Sequence, residues 1–366
     1  MIGKERRMFP GGNTSKGFFS YYDYIINRKD ANKIIILKGG PGTGKSSMMR
    51  NIGIYMQEKG YDVEYHHCSS DRESIDSVMI PKLKIAVVDG TAPHVIDPKY
   101  PGAIDMIINL GEYWDSKGLE KNREEIIKVI DRNSKFYKSA YKYLEAARLI
   151  QEDTIWKMEE VMDFGKLNVL TDNLIKEVLN GLPLVEKVGK ERHLFGSAYT
   201  PTGWAEHTDT LLRDIDKTYY IKGEIGTGKT TLMKKVYQEA TQRGVDVEVF
   251  HTPLIPEKIE TIIIKDLNIA LSIMDAAKDN NIKVIDLNEY INKKIYNNYK
   301  ESIEDNKKVY ENLISIAIKK LAGAKKNHDL MEAQYIPNMN YDETEKVKNR
   351  IIDIILKYEI DATDNI

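Results

Sequence analysis

Two segments of the chain carry the residues of a phosphate cradle. Gly39, Gly40, Pro41, Gly42, Thr43, Gly44, Lys45 and Ser46 form the first; Gly223, Glu224, Ile225, Gly226, Thr227, Gly228, Lys229 and Thr230 form the second. Both fit the pattern G-x-x-x-x-G-K-[ST], follow a short apolar run (34–37 and 219–221) and open a stretch of helical character. In that strand–loop–helix setting the chemistry is specific. The glycines let the backbone curl so that several N–H groups converge on one hollow, at the positive end of the following helix. Lys45 and Lys229 add a full charge for the β- and γ-phosphates, and the hydroxyls of Ser46 and Thr230 suit Mg²⁺. Ser47 and Thr231 can add a hydrogen bond to the α-phosphate. The spacing predicts two sites for a nucleoside triphosphate with magnesium.

A carboxylate to hold the metal stands in one copy only. The apolar run 85–88 closes on Asp89, 44 positions after Lys45 (89 − 45). A strand ending in an acid beside a phosphate loop suits Asp89 to hold Mg²⁺, directly or through its water, together with Ser46. In the second copy the matching run, 269–272, leads to Ile273. Asp275 replaces the lost acid only if the strand end shifts by two residues. We therefore expect a first site equipped for hydrolysis, with Lys45, Asp89 and His94 as catalytic residues, and a second that binds nucleotide but hydrolyses poorly. His94 is the preferred water-activating base because the second copy lacks its segment; Asp97 and His67 are the other candidates. His67 has a counterpart in His251, which suits a role common to both copies. Thr91 is placed to orient water or to sense the γ-phosphate. Thr14, Gly17 and Phe18 recur as Thr200, Gly203 and Trp204 ahead of the loops, where the aromatic either stacks on a base or packs in the core. Arg6 and Arg192 recur in a Lys-Glu-Arg context, as fingers reaching the other copy's nucleotide or as structural ion pairs.

These residues sit at matching points of a duplicated chain. Lys45 and Lys229 differ by 184 (229 − 45), and at that offset His67 meets His251 and Ile75 meets Ile259. Upstream the offset is 186 (192 − 6, for the arginines); downstream it is 177 (290 − 113, for Tyr113 and Tyr290). The repeat predicts two domains, 1–187 and 188–366, each of ordinary domain size. Each reads as an α/β nucleotide-binding core, about 1–118 and 188–286, followed by a helical arm, about 119–187 and 287–366. In the first core, strands at 34–37, 62–67 and 84–88 alternate with a helix at 46–59 that stops at Gly60. Ser69, Ser70 and Asp71 offer caps for a short crossover helix. That alternation argues for a mostly parallel sheet flanked by helices on both faces, with the ligand at the carboxyl ends of its strands. Residues 119–162 contain neither proline nor glycine and show apolar residues at helical spacing; 287–331 repeats this with one glycine, Gly323. Forty helical residues would reach about 60 Å. Such arms pack on their own half or on each other, or dock a protein partner.

Composition narrows the class. Lys+Arg 54 against Asp+Glu 56 leaves a net charge of −2, without an overall positive field to draw the chain to nucleic acid or an anionic membrane. No apolar run approaches the length of a membrane span, and the N-terminal residues lack the apolar core of a secretory signal. The single cysteine, Cys68, cannot make an internal disulfide, which points to a reducing, cytoplasmic setting.

The paired loops, the segment Val87-Val88-Asp89-Gly90-Thr91-Ala92-Pro93-His94 and the segment Asn109-Leu110-Gly111-Glu112-Tyr113-Trp114-Asp115 together resemble a family of tandem P-loop ATPases of Gram-positive, often spore-forming bacteria. The likeness spans the whole chain. It implies a bacterial ATP-binding protein with two P-loop NTPase domains, and the roles above for Lys45, Ser46 and Asp89; it implies no substrate. Many ATPases carry a glutamate directly after the Walker B aspartate, where this chain has Gly90. Two other readings fit the residues: a small-molecule or nucleoside kinase, and a nucleotide sensor whose arms bind a protein. Kinases usually add an arginine-rich lid, whereas Arg123, Arg132 and Arg148 are dispersed along the arm. No Asn-Lys-x-Asp guanine motif follows either loop, which favours ATP over GTP.

Overall fold

A computed structural model describes residues 1–92, 95–279 and 282–363. The first half contains strands β1 (Glu5–Met8), β2 (Gly11–Thr14), β3 (Gly17–Ser20), β4 (Lys33–Lys38), β5 (Val63–His67), β6 (Ile75–Ile80), β7 (Ile85–Asp89) and β8 (Asp105–Asn109). Helix α1 (Lys45–Glu58) follows the first glycine loop, and α2 (Ser116–Lys121), α3 (Arg123–Val161) and α4 (Phe164–Val178) make the arm. The second half repeats the plan with β9 (Glu191–Phe195), β10 (Ser197–Thr200), β11 (Gly203–Glu206), α5 (Thr208–Leu212), β12 (Lys217–Lys222) and α6 (Lys229–Gln242). It continues through β13 (Val247–His251), β14 (Ile259–Ile264), β15 (Ile269–Ser272), β16 (Ile282–Asp286), α7 (Lys293–Tyr335) and α8 (Tyr341–Thr363). The result is two six-stranded mixed sheets, ordered β1-β5-β6-β7-β4-β8 and β9-β13-β14-β15-β12-β16, plus the hairpins β2–β3 and β10–β11.

In each sheet one strand, β6 or β14, runs against all the others. The sequence reading expects a crossover helix there. Only seven residues, 68–74, separate His67 from Ile75, too few for a crossover, so the chain returns as an antiparallel strand. Asp76 and Ser77 interrupt the apolar run that would otherwise have marked it. Long helices also cover one face of each sheet rather than two. On that face α1 lays Met49, Ile52 and Met56 against Ile35, Val78 and Val87. The other face of the first sheet is closed by Tyr22, Ile25 and Ile26, and that of the second by Leu211 and Leu212 of the short α5. The chain between β3 and β4 is too short to supply a spanning helix.

The arms pack on each other and then change places. α3 and α7, 39 and 43 residues long, run antiparallel. Phe136 lies on Gly323, the Asn327 amide donates to the Val129 carbonyl at 2.7 Å, and Met162 bridges to Ile291 at the opposite end. Ala140, Leu144 and Ala147 meet Ala317 and Leu321 in their shared core, where small side chains let the helices approach closely. Each arm then crosses to the other half. α4 inserts Leu167, Leu174 and Val178 among Leu232, Met233 and Val236 of the second core. α8 inserts Val347, Ile351 and Ile355 into the first. The repeats are sequence units, and each packed core borrows its last helix from the other repeat.

The two sheets meet at their edges. Phe9 and Phe195, both fully buried, exchange backbone hydrogen bonds of 2.8 and 3.0 Å. No helix among the described residues is long and apolar enough to cross a membrane.

Candidate functional site

The glycine loops after β4 and β12 share one geometry. Lys45 and Lys229 start α1 and α6, which places each side chain over the loop before it. Gly44 and Gly228 take φ of 83° and 91°, a left-handed conformation that residues with a Cβ enter at a cost. The Thr43 and Thr227 hydroxyls donate to the carbonyls of Gly40 and Glu224 at 2.8 and 2.9 Å, pinning the curl. The Lys45 ammonium donates to the carbonyls of Gly39 and Gly40, and that of Lys229 to those of Gly223 and Glu224. Pro41 to Ser47 line a cavity of about 680 Å³; Ile225 to Thr231 line one of about 330 Å³.

Electrostatics separate the two sites. Asp89 ends β7 beside β4, its Oδ2 lying 3.7 Å from Lys45 Nζ and its Oδ1 accepting from the Thr91 N–H at 2.8 Å. The Thr91 hydroxyl donates to the Gly39 carbonyl at 2.9 Å, tying the acidic strand end to the loop. Ser46 Oγ accepts from the Ile75 N–H at 2.9 Å, which holds the first turn of α1 against β6. An ammonium, a hydroxyl and a carboxylate thus converge on one cavity. At the second loop Ile273 lines the cavity and brings no charge. Asp275 does not restore the acid, since it accepts from the Tyr220 hydroxyl at 3.0 Å, pairs with Lys278 and lies outside the lining. Burial pushes the Lys229 ammonium down to about 8, with Glu224 opposing only in part.

Each loop is covered by the other half's arm. The Tyr341 hydroxyl donates to the Gly42 carbonyl at 2.7 Å, Ile336 and Glu332 lie against Gly42, and Tyr335 lies against Gly40. On the second loop Met158 and Ile155 lie against Gly226, and Leu167 against Gly228. The wall so provided differs between sites. His328, Glu332, Glu345 and Lys348 line the first cavity, whereas Gln151, Ile155, Glu159 and Phe164 line the second. No motif spacing could have found these partners, since Tyr341 and Gly42 are 299 positions apart.

Other residues named from the sequence lie elsewhere. His94 is outside the described residues. Asp97 pairs with Lys38 at 3.1 Å. His67 packs at the seam between the halves, its ring 4.5 Å from that of His207, and burial pushes it down to about 3. His251 sits at the same seam, its Nε2 2.8 Å from Nδ1 of His193. Arg6 and Arg192 are not fingers. Each bonds both Glu64 and Glu248, so the four charges close into one part-buried network across the halves. Phe18 packs near Tyr22 in the core, while Trp204 lines the second cavity beside Tyr199. A scan against protein-family models, a search of curated proteins and a search of solved structures each found no match.

Proposed function

We propose that the chain is an ATP-binding protein of the tandem P-loop type, a magnesium-dependent nucleoside triphosphatase with a hydrolytic first site and a regulatory second one. The observation that carries this reading is the convergence of Lys45, Ser46 and Asp89 on the first cavity, set against Ile273 in the second. The residues fit a triphosphate and its cation: a curled loop with glycines at positive φ, an ammonium, a hydroxyl and a carboxylate at its edge. Magnesium, when bound, would neutralise charge on the β- and γ-phosphate oxygens. Lys45 would bind the same oxygens, and Ser46 and Asp89 would hold the cation. Thr91 fixes the carboxylate and the loop relative to one another. Because each loop is covered by the opposite arm, a change at one phosphate end is passed to the other half through α7 and α8, or through α3 and α4.

Turnover of ATP by two single variants tests the assignment. Lys45→Ala is expected to lose on the order of 10²-fold in kcat, and Lys229→Ala to keep most of it. The opposite pattern would reverse the roles of the sites. Failure of the purified, folded chain to take up any purine triphosphate with a divalent ion would end the reading altogether.

A further inference from the structure

The two cavities have walls of opposite charge. Among the described residues, six acidic side chains line the first, against the cations of Lys45, Arg50 and Lys348. The second is lined by Lys229, Lys258 and a single acid, Glu159. Glu224 and Glu152 act on those two ammoniums from outside the lining. A triphosphate entering the first cavity meets carboxylates whose repulsion a bound cation would relieve, whereas the second wall already attracts it.

A turn built alike in both halves brings this difference to the loops. Before β6, the Cys68 N–H donates to the Ser74 carbonyl and the Ser74 N–H to the Asp71 carbonyl, both at 3.0 Å. Before β14, the Thr252 N–H donates to the Lys258 carbonyl and the Lys258 N–H to the Ile255 carbonyl, both at 2.9 Å. At the common offset of 184 (258 − 74), Lys258 stands for Ser74, Ile255 for Asp71 and Ile273 for Asp89. Three matched positions thus lose acid or gain base together. Ile259, next to the turn, shares a core with Leu232 and Met233 of α6, which holds Lys258 beside the helix that follows the loop. The part-buried Lys258 ammonium carries no hydrogen bond or ion pair among the described residues. Burial lowers the Lys229 ammonium most, and the nearby charge of Lys258 lowers it further. Two ammoniums lining one cavity repel each other, a cost that a bound polyanion removes.

We propose that the second site takes a nucleoside triphosphate without a divalent cation, Lys258 supplying beside Lys229 the positive charge that magnesium supplies at the first. This rests on the second loop being a nucleotide site. Lysine suits the part, because its ammonium is a compact charge with three donors on a flexible stem. Calorimetry with a non-hydrolysable ATP analogue tests the proposal on the full chain carrying Lys45→Ala, so that the second site reports; the chain with both Lys45→Ala and Lys229→Ala is the blank. Affinity in EDTA should lie within about threefold of that in Mg²⁺. Adding Lys258→Ala should weaken uptake in EDTA at least about tenfold, the loss of one charge-assisted bond. Lys258→Met, which keeps the apolar stem without its charge, repeats the comparison should the alanine variant not fold. Uptake by the Lys45→Ala chain that appears only with Mg²⁺ overturns the proposal, as does equal uptake in EDTA with and without the Lys258 ammonium. A folded Lys45→Ala chain that takes up the analogue in neither buffer overturns instead the nucleotide reading of the second loop.

Discussion

Lys45 and Lys229 are one residue type in one loop geometry, yet their surroundings set them apart. Lys45 has the Asp89 carboxylate 3.7 Å away, whereas Lys229 shares its cavity with Ile273. Burial of Lys229 without that acid lowers it to about 8, below the ordinary 10.5. Above about pH 8 the free second site therefore holds a neutral amine, which a bound polyanion converts back to ammonium. Triphosphate uptake there should draw in close to one proton at pH 9 and almost none at pH 7. Calorimetry on Lys45→Ala in buffers of different ionisation enthalpy counts those protons. The same count at both pH values would contradict a part-buried Lys229 without a carboxylate partner.

At the scale of elements, the exchange of α4 and α8 makes a claim that substitution can reach. Ile351 belongs to the second repeat but is fully buried in the first core. Ile351→Ala should cost about 3 kcal/mol through lost burial and a residual cavity. The damage should appear in β4 to β7, far along the sequence from the substitution. Amide hydrogen exchange locates it: faster exchange in β4–β7 than in β12–β15 is expected, and the reverse would mean that α8 serves its own half. Glycine loops, helix starts and the proline-free arms were all legible in the sequence, because backbone curl and helical periodicity are written locally. The strand β6 was not, since Asp76 and Ser77 are buried polar residues, and the Tyr22 hydroxyl that donates to Asp76 comes from elsewhere in the chain.

Over the whole molecule, the seam between the sheets concentrates groups sensitive to acid. Burial pushes His66 and His67 down to about 3, His207 to about 4 and His251 to about 3. Burial works against the charges of Glu64 and Glu248 as well, but Arg6 and Arg192, with Lys265 beside Glu248, outweigh it and hold both well below the usual carboxylate range. The signs agree. The histidines contribute fully above about pH 6.5 and lose their contribution as pH falls towards their folded values; the glutamates lose theirs below about pH 4.5. Urea unfolding should therefore show stability falling from pH 7 to pH 5, with a slope equivalent to more than about two protons taken up. A slope of less than one would mean that these rings are not held neutral.

The sequence alone determined the two glycine loops, the repeat, the helical arms and the loss of the acid at Ile273, because each is carried by residue type, short spacing or internal comparison. Tertiary structure decided what covers each loop, what the recurrent arginines bind and which core each terminal helix completes. The physical reason lies in the duplication itself. Homologous halves offer α4 and α8 two similar apolar surfaces, and an apolar stripe does not distinguish between them. What distinguishes them is reach: helices of 39 and 43 residues span about 60 Å, carrying each arm's end away from its own sheet and onto the other.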